Sequence, residues 1–246
     1  MANIVLIHGG WHGGWCWKKV APLLRAAGHE VYTPTLTGLG DRSHLLSVDV
    51  TLDTHVQDIV ALFEYEDIRE AALVGHSYGG IVMTAVADRV AERLAHLIYL
   101  DAFVPQHGQS LADLADPAFF ATMEARAHME GDGWRVPAPP LERWGIRDEA
   151  DALWMRPRIG PHPLNTFKQP VQLSNAAASL LPRTFVYCTD KPAGDSFAPF
   201  AKRLSQDAGW RYCELASGHD AMVTAPKEVS ELICQSVQSS EVPAAW

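Results

Sequence analysis

Short runs of apolar residues recur along the chain, and they do not alternate with polar residues. A strand with one wet face shows such alternation, whereas a strand of a parallel sheet is buried on both faces and reads as a continuous apolar run. The sequence therefore predicts a mostly parallel central sheet with strands at residues 4–7, 31–34, 71–74, 97–100, 184–188 and 210–215.

Helical periodicity fills most of the intervals between these strands. In the first interval, Val20, Leu23, Leu24 and Ala27 fall on one helix face, and Gly28 follows as a candidate cap. Similar patterns predict helices at residues 17–27, 51–65, 81–90, 197–208 and 226–237. Alternating strands and helices define an α/β fold, with helices flanking the sheet.

One long segment interrupts this alternation. Residues 103–182 contain no convincing strand, are rich in Pro, Trp and Met, and show helical patterns at 110–129 and 142–154. We expect a mostly helical cap inserted in a core formed by residues 1–102 and 183–246, because ligands bind beyond the carboxyl ends of parallel strands. The alternative is a structural excursion whose tryptophans fill a small core of its own.

The third predicted strand leads into a G-x-S-x-G pentapeptide, Gly75-His76-Ser77-Tyr78-Gly79, and a predicted helix follows it. Strand, sharp turn and helix form the context of a nucleophile elbow, which exposes a serine hydroxyl above the sheet. Ser77 is therefore a candidate nucleophile. The backbone N–H of Tyr78, at the helix N-terminus, is a candidate donor to developing negative charge. A glycine-rich turn that happens to contain serine is the alternative.

A serine nucleophile needs a base, and the chain has 11 histidines from which to choose. His219 lies in a late loop, Ser217-Gly218-His219-Asp220, directly after the last predicted strand. This position fits the order Ser, Asp, His of α/β hydrolases, so His219 is the predicted base. A histidine whose hydrogen bonds are satisfied in the core or at the surface is the alternative.

Three aspartates are candidates for the residue that orients this histidine. Asp190 directly follows the strand at 184–188 and is preferred for its strand-end position. Asp101 ends the strand at 97–100, and Asp195 lies further into the loop after Asp190. The residues alone leave all three open.

The loop after the first strand, residues 8–15, is rich in glycine. An oxyanion hole needs a second N–H donor from this loop, and Gly10 is the candidate. The loop lacks both G-x-G-x-x-G and the G-K-[ST] of a P-loop, so nucleotide binding has little support.

Composition narrows the function classes further. Hydrophobic residues make up 48% of the 246 residues, and the net charge of −9 argues against nucleic acid or an anionic membrane as a partner. No apolar run reaches membrane-spanning length. The cysteines show no C-x-x-C pair, which favours reduced thiols in a cytoplasmic protein; they are Cys16, Cys188, Cys213 and Cys234. We expect no cofactor and no metal; a homodimer is possible.

Several stretches together resemble the α/β-hydrolase superfamily, and more narrowly the plant methylesterase and hydroxynitrile lyase group with its bacterial esterase relatives. The matching stretches are VLIHGGWHGGWCW (5–17), LLRAAGHEVYTPTLTGLG (23–40), LVGHSYGG (73–80), LIYLDAFVP (97–105), VYCTD (186–190) and GHDAM (218–222). This resemblance implies Ser77 as nucleophile, His219 as base and Asp190 as acid. It also implies Gly10 and Tyr78 as oxyanion donors.

Two departures from the lyase members point toward hydrolysis. Those members carry a threonine after the first-strand histidine and a lysine after the catalytic histidine, where this chain has Gly9 and Asp220. We therefore expect a serine carboxylesterase that works through an acyl-enzyme, and the aromatic and Met content of residues 103–182 favours small apolar or aromatic carboxylic esters. The alternatives are hydrolysis of a lactone, amide or carbamate at the same site, and a triad-bearing small-molecule receptor with slow turnover.

Overall fold

The computed structural model describes residues 1–191 and 195–240, with side chains described through residue 238. Its eight strands are β1 (Asn3–Ile7), β2 (Glu30–Tyr32), β3 (Ala71–His76), β4 (Leu94–Leu100), β5 (Arg135–Val136), β6 (His162–Pro163), β7 (Arg183–Cys188) and β8 (Arg211–Leu215). Its α-helices are α1 (Ala21–Ala26), α2 (Leu52–Tyr65), α3 (Gly79–Val90), α4 (Leu111–Leu114), α5 (Pro117–Glu130), α6 (Glu149–Met155), α7 (Leu164–Lys168), α8 (Ala176–Ser179), α9 (Ala198–Leu204), α10 (Ala221–Thr224) and α11 (Pro226–Ser240).

Six strands form one parallel sheet in the order β2-β1-β3-β4-β7-β8. Every residue of β3 is buried, and β4 is buried at all positions except Ala95. Burial on both faces explains why these strands are continuous apolar runs. The predicted α/β fold with a parallel central sheet is confirmed.

The helices differ from their predicted bounds in ways that have local causes. The segment at 17–27 divides into a 3₁₀ turn, Gly14–Lys19, and α1, whose second residue is Pro22. Proline fits the first turn of a helix but lacks the N–H that an interior position donates. A single helix therefore does not run through Pro22, and α1 starts just before it. The last helix continues to Ser240 rather than ending at residue 237, and residues 241–246 lie outside the described part of the chain.

The segment between β4 and β7 carries α4 to α8, as its helical patterns predict. The predicted helix at 110–129 is interrupted, because the side chain of Asp116 accepts from the N–H of Phe119 and starts α5 at Pro117. The expectation that this segment holds no strand is wrong. Two short antiparallel strands pair Arg135 with Pro163, and each is only two residues long.

Within the described ranges, no helix combines the length and apolar character that crossing a lipid bilayer requires.

Candidate active site

Ser77 occupies the turn between β3 and α3. Its φ of 55° lies in the left-handed region, which a residue with a side chain adopts only where the surroundings hold it there. Its carbonyl accepts hydrogen bonds from the N–H of Gly80 at 3.0 Å and of Phe103 at 3.2 Å. A Cβ at Gly75 would lie 2.6 Å from the carbonyl oxygen of Gly79, so this sharp turn requires glycine there. Ser77 itself is partly exposed between buried neighbours, as an elbow requires.

A cavity opens over Ser77. The segment between β4 and β7 covers it, because α4, α5, α7 and the 3₁₀ turn Leu141–Trp144 each contribute wall residues. The described residues that line the cavity are mostly aromatic or aliphatic; they are Trp11, Ser77, Tyr78, Phe103, Leu111, Phe119, Met123, Arg143, Trp144, Phe167, Lys191, Asp195, Ser196, Phe197 and His219. Ser77 and His219, the nucleophile and the base proposed from the sequence, therefore line the same space.

His219 makes a short hydrogen bond to Asp101. Its Nδ1 lies 2.6 Å from Asp101 Oδ2, and both side chains are buried. The imidazole stacks on Phe197, with ring centroids 4.8 Å apart, and its backbone carbonyl accepts from Nε2 of His76 at 3.0 Å. Because Nδ1 is engaged by the carboxylate, Nε2 of His219 is the nitrogen left for proton transfer.

The backbone holds Asp101 at the end of β4 in an unusual conformation. Its φ is 43°, in the left-handed region, and its N–H donates to the carbonyl of Val186 at 2.7 Å. Its Oδ1 accepts from the N–H of Cys188 at 3.1 Å. The main chain and the side chain of Asp101 thus both bond to β7, and these bonds position the carboxylate that contacts His219.

Asp190, the preferred sequence candidate, does not reach His219, and this preference is wrong in the structure. The N–H of Asp190 donates to the carbonyl of Ser217 at 3.0 Å, so the pairing of β7 and β8 continues past the assigned strands. Its carboxylate is exposed and makes two hydrogen bonds of 3.0 Å with the guanidinium of Arg147. The position of Asp190 after a strand predicted the correct edge of the sheet, but it did not predict the direction in which the side chain points.

Asp195, the other alternative, is engaged elsewhere. Its Oδ2 accepts from the hydroxyl of Tyr187 at 2.6 Å, and its Oδ1 accepts from the N–H of Phe197 at 2.9 Å. Among the three candidate aspartates, Asp101 is the one that touches His219.

Lys191 is a site residue that sequence reasoning missed. Its ammonium lies 2.7 and 2.9 Å from the two carboxylate oxygens of Asp101 and 3.0 Å from Asp195 Oδ1, and its side chain is 6% exposed. The loop after β7 thus brings a buried cation to Asp101, at a different place from the lyase lysine, whose position is Asp220 here.

The Gly9–Gly10 peptide is held beside Ser77 by His8. The N–H of Leu36 donates to Nε2 of His8 at 3.1 Å, so the proton of the neutral ring is on Nδ1, which donates to the carbonyl of Gly9 at 2.8 Å. Burial lowers the pKa of His8 to about 3, which keeps the ring neutral. The N–H of Gly10 belongs to the same peptide.

The next peptide is tied to the covering segment. Trp11 has a φ of 63°, and its N–H donates to Nδ1 of His162 at 3.2 Å. Within the described part of the chain, the N–H groups of Gly10 and Tyr78 donate to no protein acceptor. Both N–H groups therefore stay candidates for oxyanion donors.

Asp220 takes part in a buried histidine network. Nδ1 of His12 lies 2.6 Å from the carbonyl oxygen of Gly10, and its Nε2 lies 3.1 Å from Asp220 Oδ2. Burial alone would lower the pKa of His12, but the charge and hydrogen bond of Asp220 outweigh burial and raise it. Acceptors at both nitrogens favour the protonated form of His12, and the two contacts link the glycine loop to the His219 loop.

His76 completes this network from the elbow. Its Nε2 donates to the carbonyl of His219 and lies 3.7 Å from Asp220 Oδ1. Burial, together with the neighbouring His219 and His12, holds the pKa of His76 well below its ordinary value.

Among the described residues, one cluster of potential metal ligands stands out: His76, His219 and Asp220. Two of its nitrogens are already used, since Nδ1 of His219 bonds Asp101 and Nε2 of His76 bonds the His219 carbonyl.

Comparison with known proteins agrees with this fold. The model of the alpha/beta hydrolase family matches residues 4–232. A carbendazim hydrolyzing esterase from Nocardioides sp. (strain SG-4G) is 41% identical over 239 residues, which cover 94% of this chain and 98% of that protein. Methylesterase 1 of Arabidopsis thaliana is 27% identical over 210 residues, which cover 78% and 79% of the two chains.

A solved structure extends the likeness to the whole chain. It is an extracellular alpha/beta-hydrolase from a Paenibacillus species, described as sharing structural and functional homology with tobacco salicylic acid binding protein 2. It is 27% identical, has a TM-score of 0.83, and covers 96% of this chain and 99% of its own. The protein belongs to the alpha/beta hydrolase family. Within that family it is an esterase-type enzyme, and the resemblance to plant methylesterases and bacterial esterases is confirmed.

Proposed function

We propose that this protein is a serine carboxylesterase in which Ser77 is the nucleophile, His219 the base and Asp101 the acid. The observation that carries the proposal is the pair formed by His219 and Asp101, which presents the free imidazole edge to the cavity that Ser77 lines. We further propose residues 103–182 as a cap on a core of residues 1–102 and 183–246. The cytoplasmic location and the homodimer stay predictions.

The reaction follows from this geometry. Ser77 Oγ attacks the ester carbonyl carbon while His219 Nε2 takes the hydroxyl proton. Gly10 and Tyr78 donate their N–H groups to the oxyanion. The tetrahedral intermediate then collapses, the C–O bond to the alcohol breaks, and His219 returns the proton to the leaving alkoxide. Water, deprotonated by His219, attacks the acyl-enzyme, and the carboxylic acid leaves as Ser77 recovers its proton.

Asp101 acts through His219. Its carboxylate fixes the tautomer with the proton on Nδ1 and stabilises the imidazolium that forms in both half-reactions. Lys191 and Asp195 surround Asp101 with one further positive and one further negative charge. The cluster of these three residues and a protonated His219 is therefore neutral overall, which suits a buried site.

The cavity walls favour an apolar, aromatic substrate. Trp11, Phe119, Trp144, Phe167 and Phe197 supply flat surfaces around Ser77. Aromatic faces pack well against planar ligands, so we expect esters with an aromatic ring to react with a lower KM than aliphatic esters of equal size.

A carbamate is the second candidate for the scissile group. The relative from Nocardioides is named for hydrolysis of carbendazim, a methyl carbamate on a flat heteroaromatic ring, and it matches nearly the whole of this chain. The same acyl-transfer steps cleave a carbamate ester, with slower attack because nitrogen donates into the carbonyl. A substrate panel that ranks kcat/KM for methyl benzoate and methyl N-phenylcarbamate separates the two.

The direct test of the proposed function uses 4-nitrophenyl acetate and a serine-directed phosphonate. Wild type releases 4-nitrophenol over many turnovers, and the phosphonate leaves one adduct on Ser77. Ser77→Ala loses the activity and the adduct. Full activity in Ser77→Ala would reject the proposal, and a single turnover followed by tight product binding would favour a receptor.

A further inference from the structure

Arg143 brings a guanidinium to the wall of the catalytic cavity. It lies in the 3₁₀ turn Leu141–Trp144 and is half-buried. The guanidinium carbon lies 4.0 Å from the ring centroid of Phe119, another wall residue. Stacking on an aromatic face fixes the plane of the guanidinium and leaves its N–H edge to face outward from the ring.

The charge of Arg143 has no partner of opposite sign close by. Among the described residues, no carboxylate oxygen lies within 4.0 Å of its nitrogens. Lys191, the other cation in the cavity wall, is neutralised by Asp101 and Asp195. The cavity therefore carries an uncompensated positive charge at Arg143, in walls that are otherwise mostly apolar.

Arg143 also marks one end of the cavity. An outer groove on the covering segment shares Phe119, Met123 and Arg143 with the catalytic cavity but none of its catalytic residues. These three residues therefore form the border between the two spaces. Asp116 also lines the outer groove, where its carboxylate caps α5 on the N–H of Phe119.

The backbone that carries Arg143 is anchored at both ends. Its own N–H donates to the carbonyl of Pro140 at 3.1 Å, and the carbonyl of Trp144 accepts from the N–H of Asp220 at 3.2 Å. The backbone of Arg143 is thus held in a fixed relation to the loop that carries His219, and the contact with Phe119 places the guanidinium at this wall, so a ligand group bound to Arg143 is positioned relative to the reacting carbonyl.

We propose that Arg143 binds an anionic or strongly hydrogen-bond-accepting group on the aromatic part of the substrate, so that the preferred substrates are aryl esters bearing a carboxylate at the end away from the scissile bond. This inference rests on the proposed esterase function. A planar guanidinium accepts a carboxylate through two parallel hydrogen bonds, and the low polarity of the surrounding walls strengthens them. The aromatic body of the ester then packs between Arg143 and Ser77.

The test compares matched pairs of anionic and neutral esters. The first pair is methyl 4-carboxybenzoate and methyl 4-methylbenzoate, with the ring in the acyl part. The second is 4-acetoxybenzoate and 4-methylphenyl acetate, with the ring in the alcohol part. Each is measured with wild type, Arg143→Met, Arg143→Lys and Arg147→Met, which removes an exposed arginine outside the cavity and controls for net charge.

We expect Arg143→Met to lower kcat/KM for the anionic member of at least one pair about tenfold, mainly through KM, and to change the neutral member by no more than about twofold. Arg143→Lys keeps the positive charge and retains part of the preference, and Arg147→Met behaves as wild type. Equal effects of Arg143→Met on all four esters, or none, would overturn the proposal. Phenyl acetate, which has no ring acceptor, reports the esterase itself, and its lack of hydrolysis by wild type would reject the proposed function instead.

Discussion

Asp101 Oδ2 lies 2.6 Å from Nδ1 of His219, although 118 positions separate the two residues in the chain. β4 delivers the aspartate and the loop after β8 delivers the histidine, so β7 lies between the strands that bring them together. Asp101, the proposed acid, thus comes from the end of β4, which lies beside β3, rather than from the end of β7.

This arrangement predicts unequal effects for Asp101 and Asp190, two of the three candidate aspartates. Asp101→Asn keeps the shape but removes the charge that holds the Nδ1–H tautomer, so kcat/KM should fall by about 10³-fold or more. Asp190→Asn removes an exposed ion pair with Arg147 and should change kcat/KM by less than about twofold. Steady-state kinetics on 4-nitrophenyl acetate measure both. A larger loss in Asp190→Asn than in Asp101→Asn would assign the acid to Asp190.

Asp220 should stabilise the fold through the protonated His12. Because the pKa of His12 is raised above its ordinary 6.5, the folded protein holds this proton where the unfolded chain loses it. The contribution is complete below pH about 6.5 and is lost as the pH rises through the folded value. Asp220→Asn leaves the imidazolium buried without its partner, so the unfolding free energy at pH 6 should fall by about 3–5 kcal/mol.

Urea unfolding of wild type and Asp220→Asn at pH 6 and pH 9 measures this difference, which should shrink at the higher pH. His12→Gln and the double variant complete a mutant cycle, and a coupling energy close to zero at pH 6 would show that the two side chains act independently.

Buried neutral histidines should make the fold sensitive to acid. Burial lowers the pKa of His8 to about 3 and that of His55 to about 4. Below pH 6.5 these two side chains become protonated in the unfolded chain but stay neutral in the folded protein. The free energy of unfolding therefore decreases as the pH falls from 6.5 toward 4. Between these pH values, each such histidine lowers the free energy of unfolding by about 1.4 kcal/mol for each pH unit of acidification.

His55→Gln tests this account on a side chain that accepts from the hydroxyl of Tyr78 and donates to the carbonyl of Thr37. Glutamine can make both bonds but does not titrate. Between pH 6 and 4.5, the slope of unfolding free energy against pH should therefore be smaller in the variant than in wild type. The difference should be the contribution of one histidine, about 1.4 kcal/mol per pH unit. Parallel slopes for wild type and variant would contradict the neutral state of His55.

Gly9 should tolerate no side chain. A Cβ at this position would lie 2.9 Å from Nδ1 of His76 and 3.0 Å from Cβ of Ser77. Gly9→Ala must move the elbow or the glycine loop, and kcat/KM should fall by about tenfold or more, because small misplacements of reacting groups are costly. Gly160→Ala is the matched control, since nothing lies within 4 Å of its added Cβ. Equal activity of both variants would show that the elbow adapts freely.

The sequence predicted the sheet and the elbow because their signals are local. Each buried strand is a continuous apolar run, and Ser77 sits in a motif whose flanking strand and helix can be read directly. The same local reading placed His219 and the glycine loop at the carboxyl edge of the sheet, where the structure has them.

The pairing of Asp101 with His219 and the position of Lys191 could not be predicted in the same way, since both depend on contacts across the sheet. Asp101 and Asp190 each follow a strand, and only the left-handed φ of Asp101 and its bonds to β7 turn its carboxylate toward His219. Lys191 follows Asp190 in a loop without helical or strand periodicity, so its burial against Asp101 is visible only in three dimensions. The pairing of β5 with β6 is too short to leave a period-2 pattern.

Capture of the acyl-enzyme tests the central claim most directly. Wild-type protein is mixed with excess 4-nitrophenyl acetate, quenched in acid within the first turnover, digested and analysed by mass spectrometry. We predict a burst of one 4-nitrophenol per active site and one acetyl group, carried by Ser77. The adduct should be absent from Ser77→Ala and should form slowly in Asp101→Asn. Steady hydrolysis by wild type with no acetyl group on Ser77, or with the acetyl group on another residue, would contradict the account.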